Sequence, residues 1–269
     1  MRKILVTTLA VASVSTFAST NYSAFQEFDN QYNIGWGMSQ YQLQNGGAQQ
    51  ALQQNQTLTL EVERLFDMGL WMDAAASYVI ATNSLGNASP GTGMGGAQPL
   101  SQVPALGGVN AKVGYAFDVV SNKLQLVPYA LVGFNTNLAM STLTANNFAN
   151  VTNDTFYTGG IGARLEYRIT KWVEVYADQS MVYNWDQSGP LNGIQPQNNM
   201  AYTTTIGAKF KPYKDFIIGL NGFYNNYQYM AGAPGTGATN GGNSVNGTTY
   251  SIYQPQYNLG GMITVGLTY

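Results

Sequence analysis

From Asn30 onward, apolar and polar residues alternate in period two over stretches of roughly ten residues, the length a tilted barrel strand needs to cross a bilayer. The C-terminus shows it best: Leu259, Gly261, Ile263, Val265, Leu267 and Tyr269 fall on one face, and Asn258, Gly260, Thr264, Gly266 and Thr268 on the other. The pattern predicts ten strands, over 31–42, 56–66, 69–81, 108–119, 123–137, 155–168, 172–185, 200–211, 215–229 and 257–269. Short turns are expected around Asp67-Met68, Ser121-Asn122, Thr170-Lys171 and Tyr213-Lys214, alternating with long connections near 43–55, 82–107, 138–154, 186–199 and 230–256. An even strand number puts both termini on the side of the short turns and all five long loops on the other. Eight strands is the alternative, because 43–66 can be divided differently. No repeat at a fixed period is visible, so one domain is expected rather than a propeller or solenoid.

Composition explains why such strands should close. Charged residues are 9% of the chain and aromatics 13%, with 19 tyrosines; an ordinary soluble domain carries about 25% charged residues. Beyond the N-terminus no apolar run approaches the roughly 20 residues of a spanning helix. The remaining way to satisfy every backbone polar group in lipid is a closed barrel. The expected fold is therefore all-β, a transmembrane antiparallel up-and-down β-barrel over 31–269.

Arg2 and Lys3 followed by the apolar stretch Ile4 to Val14 have the order of a secretory signal peptide over 1–18, with Thr16 and Ala18 as small residues at the cleavage site. A short periplasmic segment, 19–30, would precede the barrel. Without Arg2 and Lys3 the chain has 9 basic against 13 acidic residues, so nucleic acid is not expected as a partner. The absence of cysteine excludes a lipid-anchored lipoprotein, a disulfide framework and thiolate metal sites.

The signal segment, the strand-turn rhythm and the last strand Gly261-Met-Ile-Thr-Val-Gly-Leu-Thr-Tyr269 resemble those of small monomeric Gram-negative outer-membrane barrels, the opacity-protein and porin-like group. The resemblance implies a multi-pass protein of the bacterial outer membrane, in contact with its lipid and lipopolysaccharide. It also implies that Ile263, Val265, Leu267 and Tyr269 form the C-terminal signal read by the barrel-assembly machinery, with Tyr269 where Phe is more usual.

Within the strands most charges share the parity opposite to the apolar set: Glu61, Glu63, Asp73, Lys112, Asp118, Arg164, Glu166, Arg168, Glu174, Asp178, Lys209 and Lys211. These should face the lumen, since a charge on the lipid face near the midplane costs on the order of 2–4 kcal/mol. Arg64 breaks the parity and is expected near the periplasmic rim. A tight turn about Thr170 would pair Arg168 with Glu174 and Arg164 with Asp178 in a charged lumen network, either a brace or a selectivity ring. Trp36, Trp71, Trp172 and Trp185 are expected in the two aromatic girdles.

Chemistry is conspicuous by its absence. The chain has no histidine, and the outer-membrane hydrolase families use one as catalytic base; no enzyme, cofactor or metal is expected. Glu61 and Glu63 are the one tight carboxylate pair on a face, and lumen solvation accounts for them. Gly91, Gly93 and Gly96 match a dinucleotide fingerprint in spacing but lack its strand and helix. Three functions fit: narrow or gated diffusion of small hydrophilic solutes or ions, a structural or adhesive role for the external loops with an unknown host or surface ligand, and apolar transport through a lateral opening near Gly159 to Gly162.

Overall fold

The computed structural model describes residues 23–45, 48–86, 105–143, 151–188, 200–227, 242–245, 248–252 and 254–269. The signal segment, the 91–96 glycine motif and most of the long connections lie outside them, as does the side chain of Trp185. A short helix, α1 (Ser23–Asp29), is followed by β1 (Gln31–Asn45), β2 (Ala48–Leu65), β3 (Leu70–Gly86), β4 (Ala105–Tyr115), β5 (Phe117–Val120), β6 (Leu124–Leu143), β7 (Val151–Thr170), β8 (Val173–Ser188), β9 (Met200–Tyr213), β10 (Phe216–Tyr227), β11 (Gly242–Val245), β12 (Thr248–Ile252) and β13 (Gln254–Thr268).

Each strand from β1 to β10 pairs antiparallel with its chain neighbours, β4 and β5 acting as one strand broken at Ala116. β13 then pairs with both β10 and β1, which closes a ten-stranded barrel. Asn30 and Tyr269 clip the seam, the Tyr269 amide donating to the Asn30 carbonyl at 3.1 Å. The short turns need special backbone at two positions: Gly69 has φ 85° in the β2–β3 turn and Asn122 has φ 58° in the β5–β6 turn. Glycine reaches that region freely and Asn tolerates it better than other side chains do.

The predicted strands lie in these positions, but the barrel is taller than alternation indicated. β6 and β7 have 20 residues each, about twice the spanning minimum. The expected loop 43–55 is mostly strand: β1 and β2 remain paired to Asn45 and Ala48. Gln and Asn side chains there are polar on both faces, so the periodicity that marks a half-buried strand disappears although the ladder continues.

The outer face carries the apolar parity, including Leu60, Val62, Ile161, Ile206, Leu220, Ile263 and Val265, all exposed. Tyr32, Tyr167, Trp172, Phe210 and Tyr269 ring the turn end, and Tyr78, Tyr157, Tyr183, Tyr202 and Tyr224 ring the loop end. Eight to eleven residues separate the rings along a strand, which at about 3.3 Å per residue and about 40° of tilt gives a band of roughly 20–28 Å. Arg64 stands outward one residue before the end of β2, its guanidinium 4.5 Å from the Phe66 ring centroid and 5.8 Å from that of Tyr269.

Trp36 and Trp172 face outward, whereas Trp71 does not belong to a girdle: it is completely buried in the lumen. Its parity is that of Asp73, so the alternation itself requires it inside. Trp71 packs with Phe25, Leu65, Ala116, Val127, Tyr129 and Leu131 in an apolar cluster at the turn end. Phe25 comes from α1, on which Ala24, Phe25 and Phe28 form a helical stripe buried within the barrel mouth. The chain from Ser23 to Asp29 is therefore a plug. Ile206 lies in the middle of the lipid band, opposite Ala177 and Gly222. Ile206→Lys is expected to lower stability by about 2–4 kcal/mol, read from urea unfolding in lipid vesicles.

Candidate functional site in the lumen

Parity directs the charged side chains inward, and the narrow lumen makes them meet. Glu63 on β2 is the hub: its Oε1 accepts from Trp71 Nε1 at 3.0 Å and lies 2.9 Å from Arg164 Nη1. Its Oε2 lies 2.9 Å from Lys209 Nζ and also accepts from Gln31 Nε2. Arg164 also approaches Glu166 at 2.7 Å, and its guanidinium lies 4.2 Å from the ring centroid of Tyr176. Lys209 reaches Asp29 at the end of α1 at 2.8 Å and Glu174 at 3.5 Å. Gln125 bridges Asp29 at 3.3 Å and Glu166 at 2.7 Å. All these charged groups are buried.

A second layer lies further from the turns. Lys112 pairs with Asp73 at 3.1 Å and Asp178 at 3.4 Å, and Tyr129 donates its hydroxyl to Asp178. Glu61 accepts from Asn33 at 3.1 Å. At the mouth, Arg168 reaches Glu27 of α1 at 3.4 Å and Lys211 donates to the Glu27 carbonyl at 3.1 Å. Asp118 stands apart from these groups, accepting from the Asn122 amide in its own turn at 3.4 Å.

The β7–β8 register places Arg168 opposite Glu174 and Arg164 opposite Asp178 as expected, yet neither pair forms the ion pair anticipated. Arg164 reaches instead to β2, four strands away around the wall, and Glu174 pairs with Lys209, its register partner on β9. A long guanidinium spans a narrow lumen as readily as it spans to the next strand. Pairing partners are therefore set by the barrel's cross-section as well as by the hairpin. Asp29, Gln31, Gln125, Tyr129 and Tyr176 complete the site and were not singled out by charge parity. For Gln125 and Tyr176 the signal was available, as they share the parity of the charges around them; for Asp29 it was the Ala24, Phe25, Phe28 stripe.

Two wall glycines make room for these rings. A Cβ on Gly207 would fall 2.5 Å from the Tyr176 ring, and one on Gly162 would fall 2.4 Å from that of Tyr129. Glycine thus lets each phenol lie flat on the neighbouring strand. The same observation removes the basis for a lateral opening at Gly159 to Gly162: these residues are paired with β6 on one side and β8 on the other.

Within α1, outside the spanning strands, burial pushes the Asp29 carboxyl up from its ordinary value, and Glu166 adds to this while Lys209 opposes it. Removing one partner from a buried charge network leaves the others uncompensated, typically at about 3–5 kcal/mol. Lys209→Met, which strips the cation from Asp29, Glu63 and Glu174, is expected to cost that much, read as a lower midpoint of heat-induced mobility shift on gels. Gly207→Val should displace Tyr176 and lower the same midpoint, whereas a change at the exposed Asp215 should not.

No family model matches the chain, and no curated protein does. Solved structures similar to it include the outer membrane protease OmpT from Escherichia coli, at 10% identity and TM-score 0.42 over 90% of this chain and 97% of that one. The translocator domain of autotransporter NalP from Neisseria meningitidis is similar at 10% identity and TM-score 0.43, covering 99% of this chain and 96% of that one. An outer membrane channel from Pseudomonas putida F1 is similar at 10% identity and TM-score 0.42, covering 89% and 96%. These likenesses single out neither the opacity-protein group nor any one activity; the strand pairing itself makes this chain a closed, ten-stranded antiparallel β-barrel.

Proposed function

We propose that this protein is a porin-like outer-membrane barrel, closed at rest, that gives small cations a narrow path when its plug is displaced. The observation that carries the reading is α1: Phe25 and Phe28 are buried in the turn-end mouth, where Asp29 is tied to Lys209 across a layer of buried charges. At about eight strands side chains fill a barrel, so ten leave little room and a helix suffices as a stopper. The twelve lumen charges comprise seven acids and five bases, and Glu27 and Asp29 of α1 add two more acids. That excess favours cations.

The loop end is also crossed. β12 lies in the connection between β10 and β13 yet pairs with the outer end of β6, through Tyr250 with Leu143, Ser251 with Thr142 and Ile252 with Ser141. β6 is four strands from β10 and five from β13 around the wall, so the connection passes from one side of the barrel to the other. This feature also favours the second reading, a structural or adhesive barrel whose projecting strands and loops contact a surface ligand. No catalytic role is proposed. Contacts with lipopolysaccharide, and recognition of Ile263, Val265, Leu267 and Tyr269 by the assembly machinery, belong to the same proposal.

Single-channel recording across a salt gradient tests it. The intact mature protein is expected to be closed with rare brief openings, and deletion of residues 19–29 to give long-lived, cation-preferring steps. Because the chain lacks cysteine, Gln26→Cys with Asp67→Cys, at positions whose native side chains meet at 2.8 Å, offers a clean lock when joined by a short thiol-specific bis-maleimide. Openings should vanish on cross-linking and persist in either single-cysteine variant treated in the same way. Silence from the folded deletion variant would sink the channel reading and favour the loops.

A further inference from the structure

The charge cluster beside α1 does not balance. Among the described residues, the buried Asp29, Glu63, Glu166 and Glu174 are paired with only two cations, Arg164 and Lys209, an excess of two acids in a region where uncompensated charge is expensive. Two further groups point to something additional. Gln125 is completely buried with its amide directed at Asp29 and Glu166, and its Oε1 has no donor. Neither oxygen of the buried Glu174 accepts a hydrogen bond; its nearest cation, Lys209, stands 3.5 Å away and is already bound to Asp29 and Glu63.

Oxygens of Asp29, Glu63 and Glu166 lie within 4.8 Å of one another. Two ligands of one calcium ion, each at about 2.4 Å, stand at most about 4.8 Å apart, so these three carboxylates are near enough to share one ion. With neither His nor Cys in the chain, any site here offers oxygen alone, the choice of hard cations. A half-turn of the Gln125 amide puts Oε1 where Nε2 now faces the two carboxylates, with no change of shape.

We propose that Asp29, Glu63 and Glu166, with Gln125 Oε1, form a site for a hard divalent cation such as calcium. Its two charges cancel the acidic excess, and its ligands join α1 to β2, β6 and β7. The site stands independently of the channel reading, because binding is measured without conductance.

Trp71 donates to Glu63, so it is placed to sensitise terbium(III), a luminescent substitute for calcium. Chelator-washed full-length protein in detergent, shown to be folded by its heat-modifiable mobility, is titrated with terbium under tryptophan excitation. The expected result is saturable emission with one metal per chain by elemental analysis, displaced by calcium. Glu166→Gln should weaken emission at least tenfold and Asp215→Asn, on an exposed turn, should not. Trp71→Phe should abolish emission while metal remains bound. If Glu166→Gln fails to fold, Gln125→Leu takes its place, with an expected weakening of at least threefold. Folded protein that takes up no metal would overturn the proposal, meaning that protons alone balance the acids. Emission unchanged in the ligand variants would overturn it equally.

Discussion

Lipid offers no hydrogen bonds, and the rest of the molecule follows from that. Every backbone amide and carbonyl in the spanning region must find its partner on an adjacent strand, so the sheet has to close. Closure is made where β13 meets β1, a seam running in register from Gln31 with Thr268 to Gln42 with Tyr257 before it shifts at Leu43. Once that seam exists, each strand has two neighbours and each side chain has one of two fates. Ile263 and Val265 enter lipid; Thr264 and Asn258 enter the lumen.

The second consequence is crowding. A ten-stranded wall confines its inward charges to a space in which they cannot remain separately hydrated, and they condense into layers. Buried ion pairs add little net stability over an apolar core but are costly to break, so such a network chiefly specifies one arrangement. Trp71 and Tyr129 supply the apolar filling, Tyr176 lies beneath Arg164, and the two glycines opposite these phenols let the rings lie against the wall. The plug enters the same logic: Phe25 completes the apolar cluster, while Asp29 joins the ionic one.

This coupling gives the proposed function its physical content. A helix held both by packing and by charge can be released by whatever alters the charges, and its seat also holds the cluster with unmatched acids. A barrel fold does not by itself choose among activities. What distinguishes this chain is the content of its lumen.

Alternation alone determined where the spanning strands lie, the face most of their residues take and the side on which the short turns lie, because a bilayer imposes period two on any spanning strand; it favoured ten strands and left eight open until the β1–β13 pairing closed the count. It also implied the inward position of Trp71, through the parity shared with Asp73, although the general preference of tryptophan for interfaces pointed outward. Only the tertiary structure decided that Arg164 pairs with Glu63 rather than Asp178, that β1 and β2 continue through 43–55, and that residues 23–29 turn back into the mouth. Those outcomes depend on the width of the closed barrel and on contacts between distant parts of the chain. Periodicity is a local property and records which face a residue occupies; which residues meet across a lumen is set by closure, a property of the whole sheet.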